Sequence, residues 1–201
     1  MSTGNQAGQV DFLYKAISDV QSTIRAIDTK IGALLVILVI PLTKLGKIYA
    51  HCGNAWAHSS YSGEWLVGLV IGLFVISWIG SFVAAIRTLM AIDNPVNHVD
   101  IADDTENNLR PVRGTFYGGH LFKFGFFRSV FTKGGKSEKT LQKHLNDLPK
   151  GEDGIRDELA FEHMKLCFIR HIKFKRQDFA FRLAITWMLL GGIIWIFSLS
   201  R

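Results

Sequence analysis

Charge is absent from Trp65 to Ile86 (WLVGLVIGLFVISWIGSFVAAI), twenty-two consecutive residues of a chain that is otherwise 20% charged. A soluble core helix keeps a polar stripe, and this run has none. At 1.5 Å per residue, about twenty apolar residues cross a bilayer core of about 30 Å, so the chain is a membrane protein. Cysteine is scarce too. Cys52 and Cys167 are the only two, and the topology derived below puts them on opposite sides of the membrane, so they cannot bridge within one chain. Cys52 is left to pair between subunits in an oxidising periplasm. Catalytic patterns are also missing. There is no nucleophile with its base, no HExxH and no pair of carboxylates in a suitable context; nothing points to an enzyme or to a cofactor. His51, Cys52 and His58 have no fourth metal ligand, and His98, Asp100, Asp103 and Asp104 suit a solvated acidic loop better than a cation site. Gly135-Lys136-Ser137 imitates the end of a P-loop, yet the first required glycine is Val130 and no strand pattern precedes it. An ATPase is excluded. What remains is a turn in which Lys136 is a candidate phosphate contact.

Two further runs are apolar. Leu183 to Ser200 is uncharged and bracketed by Arg182 and Arg201. Ile31 to Leu42 is shorter, but thirty polar or amphipathic residues precede it, unlike a signal peptide. If that helix continues towards residue 50, Lys44 and Lys47 lie in the outer leaflet and can snorkel to water. Pro41 is placed to kink it. The expected fold is an all-α integral membrane protein with spans at about 31–50, 65–86 and 183–200. Twenty of the twenty-three Lys and Arg residues fall before Ile31 or between Arg87 and Arg182. This bias puts the N-terminus and central segment in the cytoplasm and the C-terminus outside. It also accounts for most of the net charge of +6, which is therefore weak evidence for nucleic acid.

Two long helices extend the spans into the cytoplasm. Val10, Leu13, Ile17, Val20, Ile24, Ile27 and Ile31 alternate 3 and 4 apart, a heptad seam running unbroken into the first span. Packing against the chain's own cytoplasmic segment needs the same stripe as packing in an oligomer; the oligomer is favoured because no breaker separates the seam from the membrane. From Ile155 to Arg182 there is no Gly or Pro, and Phe161, Met164, Phe168, Ile172 and Phe179 recur at helical spacing. The other faces carry Lys165, Arg170, His171, Lys173, Lys175 and Arg176. They suit a collar facing anionic lipid, worth about 1 kcal/mol per basic residue. A stripe of Arg170, Lys173 and Arg176 that binds nucleotide phosphate is the sharper alternative.

The expected organisation is a heptad helix over 1–30, a membrane hairpin over 31–86 with an external loop at 51–64, an irregular region over 87–154, and a long helix with the third span over 155–201. Asp93-Asn94-Pro95 ends the second span, and 96–111 is acidic and turn-rich. Seven aromatics between Thr115 and Phe131 accompany His120, Lys123 and Arg128. That mixture suits a bilayer interface, a base-stacking surface or a buried core. Ser137 suits an N-cap for a helix bearing Leu141, Leu145 and Leu148, and Lys150 to Gly154 reads as a linker. Gly68 with Gly72, Ser77 with Ser81, and Gly191-Gly192 mark packing faces inside the membrane. Three helices cannot enclose a pore, so conduction needs several subunits; a homotetramer is assumed. Lys44 and Lys47 would then ring its outer mouth and favour anions.

Ala26-Ile27-Asp28-Thr29-Lys30 at the foot of the first span resembles the Asp-x-Lys signature of the Pycsar-type transmembrane effectors. The aromatic stretch Leu121 to Phe127, the short helix after it, and the closing helix through Lys173 and Lys175 are similar as well, in order over about Val10 to Leu199. The resemblance implies a bacterial antiphage effector that answers a nucleotide signal and harms the inner membrane, arresting the infected cell. On it, Asp28 and Lys30 stand at the cytoplasmic entrance, where pairing between subunits would hold a gate. The signal implied is a cyclic nucleotide or, in the related Hailong-type design, an oligonucleotide from a partner nucleotidyltransferase or cyclase. No appended sensor domain is present, so the cytoplasmic helices themselves or a partner must sense it. A non-conducting membrane scaffold that recruits a partner through the heptad arm is the alternative function.

Overall fold

The computed structural model describes residues 3–57, 63–90 and 140–199. They are almost wholly helical, with no strand among them. In order they form α1 (Thr3–Val39), a 3-10 segment (Ile40–Lys44), α2 (Leu45–Ala57), α3 (Glu64–Leu89), α4 (Leu141–Asp147) and α5 (Gly151–Leu199). Three stretches are long and apolar enough to span a bilayer: Ala7–Ala57, Glu64–Leu89 and Gly151–Leu199. That is the all-α, three-span architecture expected. The chain divides into two compact units. One comprises Met1–Ser22 and Asn94–Ile169, the other Thr23–Asp93 and Arg170–Arg201, so α1 and α5 each contribute to both.

The second unit holds the spans. Lipid tails are as apolar as leucine, so helices associate there through close approach and interhelical hydrogen bonds. On α3 the buried line is Ser77, Ser81, Ala85 and Thr88, small residues one turn apart. They admit Ala180 and Ala184 of α5, and with Ile27, Ile31, Leu34 and Leu38 of α1 the three helices share one core. Ser81 Oγ donates to the Ala180 carbonyl at 2.9 Å, across α3 and α5. A Cβ at Gly80 would stand 2.9 Å from Leu183 Cδ1, and one at Gly191 3.1 Å from the Phe74 ring. The small residues are therefore consumed within the chain. The same holds for Gly68, expected as an oligomer contact, because a Cβ there would meet the Trp56 ring at 2.8 Å. Gly72 has open space around it.

Pro41 bends the first span in a defined way. Lacking an N–H, it ends α1 at Val39 and the chain tightens into the 3-10 segment. Trp78 Nε1 donates to the carbonyl of Leu38, in the turn before Pro41, at 2.9 Å. An indole thus meets a backbone acceptor that lipid could not satisfy. Trp78→Phe should destabilise the folded protein in detergent by about 1–3 kcal/mol, and that cost should shrink when Pro41→Ala restores a backbone donor. Equal costs in both backgrounds, measured by thermal or denaturant unfolding, would contradict the pairing.

In the other unit Ile17 and Val20 of α1 are buried, as are Leu159 and Phe161 of α5. The heptad seam is thus filled inside one chain from Ile17 to Leu38, apart from Ile24, which with Val10 and Leu13 is only half-buried. Ile17, Val20, Ile27 and Ile31 are thus packed within the chain, while Val10, Leu13 and Ile24 keep part of their surface. The buried side of α5 also differs from expectation. Met164 and Phe179 are exposed, while Glu158, Glu162, Lys165, Lys173, Ala180 and Ala184 form the buried line. Phe179 can face lipid without penalty, whereas in the other unit the Glu162–Lys165 pair lets charge turn inward and leaves Met164 outside; Phe161 alone of these follows the expected stripe. Thr140, and not Ser137, caps α4: its side chain accepts from the Lys143 backbone N–H. Gly151 to Gly154 are no linker but the first turn of α5. Gly151 takes φ +76°, which favours glycine, and Glu152 and Asp153 complement the helix dipole. Ser137, Asp93 to Pro95, the 96–111 loop, the 115–131 aromatics and His58 lie outside the described residues.

Candidate functional site

Charge gathers where the membrane helices reach the inner end of their apolar runs. Asp28 of α1 and Lys173 of α5 form the central pair, with Lys173 Nζ donating to Asp28 Oδ1 at 2.6 Å. The lysine side chain is 9% exposed and the aspartate 37%, so the ammonium depends on this partner more than the carboxylate does. The pairing joins α1 to α5 within one chain. Asp28 therefore holds an intrachain partner, and Lys173, a phosphate-contact candidate, is buried and already neutralised. Lys30 stands exposed beside it.

Next to this pair Arg176 Nη1 donates to the Arg87 carbonyl at 2.8 Å, tying α5 to the last turn of α3. Arg176 is half-buried, as is Arg170. Arg87, Lys175 and Arg176 line a groove of about 530 Å³ whose other walls are Gly80, Val83, Ala84 and Phe179. Lys123, Arg128 and Lys136, the remaining phosphate candidates, lie outside the described residues. Sequence reasoning passed over Arg87 as a mere helix end. Its position one residue beyond the charge-free run was the available signal.

A second pair lies deeper. Asp178 Oδ2 and Arg182 Nε stand 2.9 Å apart, and both side chains are exposed. The Gly80–Leu183 and Ser81–Ala180 contacts set Arg182 level with Gly80 and Ser81. That is five or six residues inside Ile86, or about 8 Å at 1.5 Å per residue. Thr186, one turn further, is exposed too and donates to the Arg182 carbonyl at 3.0 Å. By contrast every exposed residue of α3 from Leu66 to Ile86 is apolar: Leu66, Leu69, Leu73, Val75, Ile76, Ile79, Val83 and Ile86. Towards the opposite end of the spans Lys44 and Lys47 are exposed. They fall between Leu38, bound to Trp78, and His51, whose Nδ1 is 2.9 Å from Ser198 Oγ.

The other unit contributes its own buried charges. Lys165 Nζ donates to Glu162 Oε1 and lies 4.7 Å from the centre of the Phe161 ring. Burial pushes the Glu162 carboxyl above the usual range, opposed by Lys165 and reinforced by Glu158. Among the described residues no three His, Cys, Asp or Glu side chains cluster closely enough to hold a metal. The ion pair Asp28–Lys173 joins two helices; Glu162–Lys165 and Asp178–Arg182 lie within α5, and Lys30, Arg87 and Lys175 face outward.

Compared with known families, residues 12–200 match the family model described as the Pycsar effector protein domain. No curated protein and no solved structure matches the chain.

Proposed function

The chain belongs to the Pycsar effector family, membrane effectors of antiphage defence, and from that premise we propose that it is a nucleotide-gated, ion-conducting homo-oligomer of the bacterial inner membrane. Its opening would dissipate ion gradients and arrest the infected cell. The observation that carries this reading is the exposed Asp178–Arg182 pair, with Thr186 above it, alongside the charge-free run of α3. Ionisable residues at that depth mostly face a water-filled path, because lipid solvates them poorly. In a ring of subunits, four being the number assumed, this face of α5 borders the path and Lys44 and Lys47 ring its outer mouth.

The gate is the packing of α1 against α5. The Asp28–Lys173 pair joins them where they leave the membrane, and Lys30 is an exposed charge two residues further along α1. Both helices continue into the unit that would meet the signal on the cytoplasmic side. A cyclic nucleotide shifts the two arrangements only by its differential affinity for them. Arg170, Lys123, Arg128 and Lys136 are the candidate phosphate contacts left once Lys173 is engaged by Asp28, and Arg176 keeps N–H groups beyond the one on the Arg87 carbonyl. Inhibition by an oligonucleotide is the opposite polarity of the same device. A scaffold recruiting partners through the heptad arm gains no support, since Ile17 and Val20 are buried in the chain's own packing. Ion flux from liposomes holding the purified protein, with cyclic nucleotides and short oligonucleotides in turn, tests the proposal. Flux that one ligand switches is expected. Tight vesicles under every condition, with insertion verified, reject it.

A further inference from the structure

We propose that the groove between α3 and α5 at the inner end of the bundle is a binding site for one anionic phospholipid. Its walls divide by chemistry. Gly80, Val83 and Ala84 on α3 and Phe179 on α5 are apolar, while Arg87, Lys175 and Arg176 are cationic. Among the described residues no carboxylate lines it. The apolar walls lie within the charge-free run of α3, and Arg87 is the first residue beyond that run. An amphiphile with its acyl chain on Val83, Ala84 and Phe179 therefore presents its phosphate to the three cations without leaving its leaflet.

Shape and polarity favour a lipid over a nucleotide as the occupant. Among the described residues, apart from the three cations, no lining side chain offers a donor or an acceptor that could read a base or ribose. The exposed Val83 and Phe179 gain nothing from a water-soluble ligand, whereas an acyl chain covers both. Arg176 uses one N–H on the Arg87 carbonyl, which fixes its guanidinium at the groove and leaves other N–H groups for a phosphate. Basic residues at an anionic leaflet are attracted by its surface potential in any case. The groove converts that general attraction into a site. The proposal does not depend on conduction, since the lipid would bind a non-conducting chain equally.

The test is photolabelling of the full-length protein in vesicles doped with phosphatidylglycerol carrying a diazirine on its acyl chain. Mass spectrometry should map the label to Val83, Ala84 and Phe179. Unlabelled phosphatidylglycerol should compete, whereas phosphatidylcholine, glycerol phosphate and cyclic nucleotides should not. Two variants separate the parts of the site. Arg87→Gln with Lys175→Gln removes charge but keeps the Arg176 hydrogen bond; Ala84→Phe fills the groove and keeps the charge. Each should cut labelling there about tenfold or more, with insertion and labelling elsewhere unchanged. Three results would overturn the site: equal labelling by a phosphatidylcholine probe, wild-type labelling in both variants, or displacement by a soluble nucleotide, which would make it a nucleotide site.

Discussion

Asp28→Asn is expected to uncouple the nucleotide signal from ion flux and to cost about 2 kcal/mol of folded stability. The substitution leaves Lys173, buried among helix contacts, with an uncompensated ammonium. Breaking a fully buried pair costs about 3–5 kcal/mol; the partial exposure of Asp28 lowers that figure here. The same change frees α5 from α1 at the level where both leave the membrane. Flux with and without nucleotide should therefore differ less than in the wild type. Lys173→Gln, which removes the charge that needs a partner, should cost less stability yet disturb gating similarly. The exchange Asp28→Lys with Lys173→Asp should restore much of the ligand response. Unaltered gating in the single variants would remove the pair from the mechanism and leave it a packing feature.

Arg182→Glu is expected to change the ions that pass while leaving the fold intact. The wild-type side chain makes an exposed pair with Asp178 one turn away, an arrangement typically worth less than 1 kcal/mol. Its loss should thus be almost silent in unfolding. Across a pore the effect is larger, because each subunit then presents two carboxylates in place of a neutral pair. Fixed charge in a narrow, low-dielectric path raises the local concentration of counter-ions by about tenfold or more. The reversal potential in a salt gradient should move towards cation selectivity. An unchanged potential would place Arg182 on the lipid side, snorkelling to the headgroups.

Some of this was legible in the sequence for physical reasons. The charge-free run of α3 has one explanation, and the 3-4 alternation from Val10 to Ile31 fixes a helix irrespective of its partner. Which partner fills the seam was not legible, since self-packing and oligomer packing demand the same stripe. The inside of α5 was misread in two ways: beside the membrane Phe179 faces out because lipid accepts an apolar side chain, and in the other unit Glu162 and Lys165 face in because each neutralises the other, with Met164 left outside. Trp78 gave no warning that it would meet the Leu38 carbonyl, forty residues away. Pro41 at least announced that an acceptor in the preceding turn would need a donor. Of the candidate site, Asp28 and Lys173 were each singled out, but as a gate residue and a phosphate contact; their pairing needed the fold.

Water access to the inner face of the third span tests the central claim most directly. With Cys52 and Cys167 replaced by Ser, Thr186→Cys would carry the only thiol, with Ile79→Cys on exposed, apolar α3 as the comparison. A charged, membrane-impermeant thiol reagent would then be added to vesicles under the nucleotide condition that supports flux. The Thr186→Cys thiol should react and the current should fall, while the Ile79→Cys thiol stays unmodified. If the two thiols are equally inert while ions still flow, α5 does not line the path, and the pore geometry drawn here is wrong.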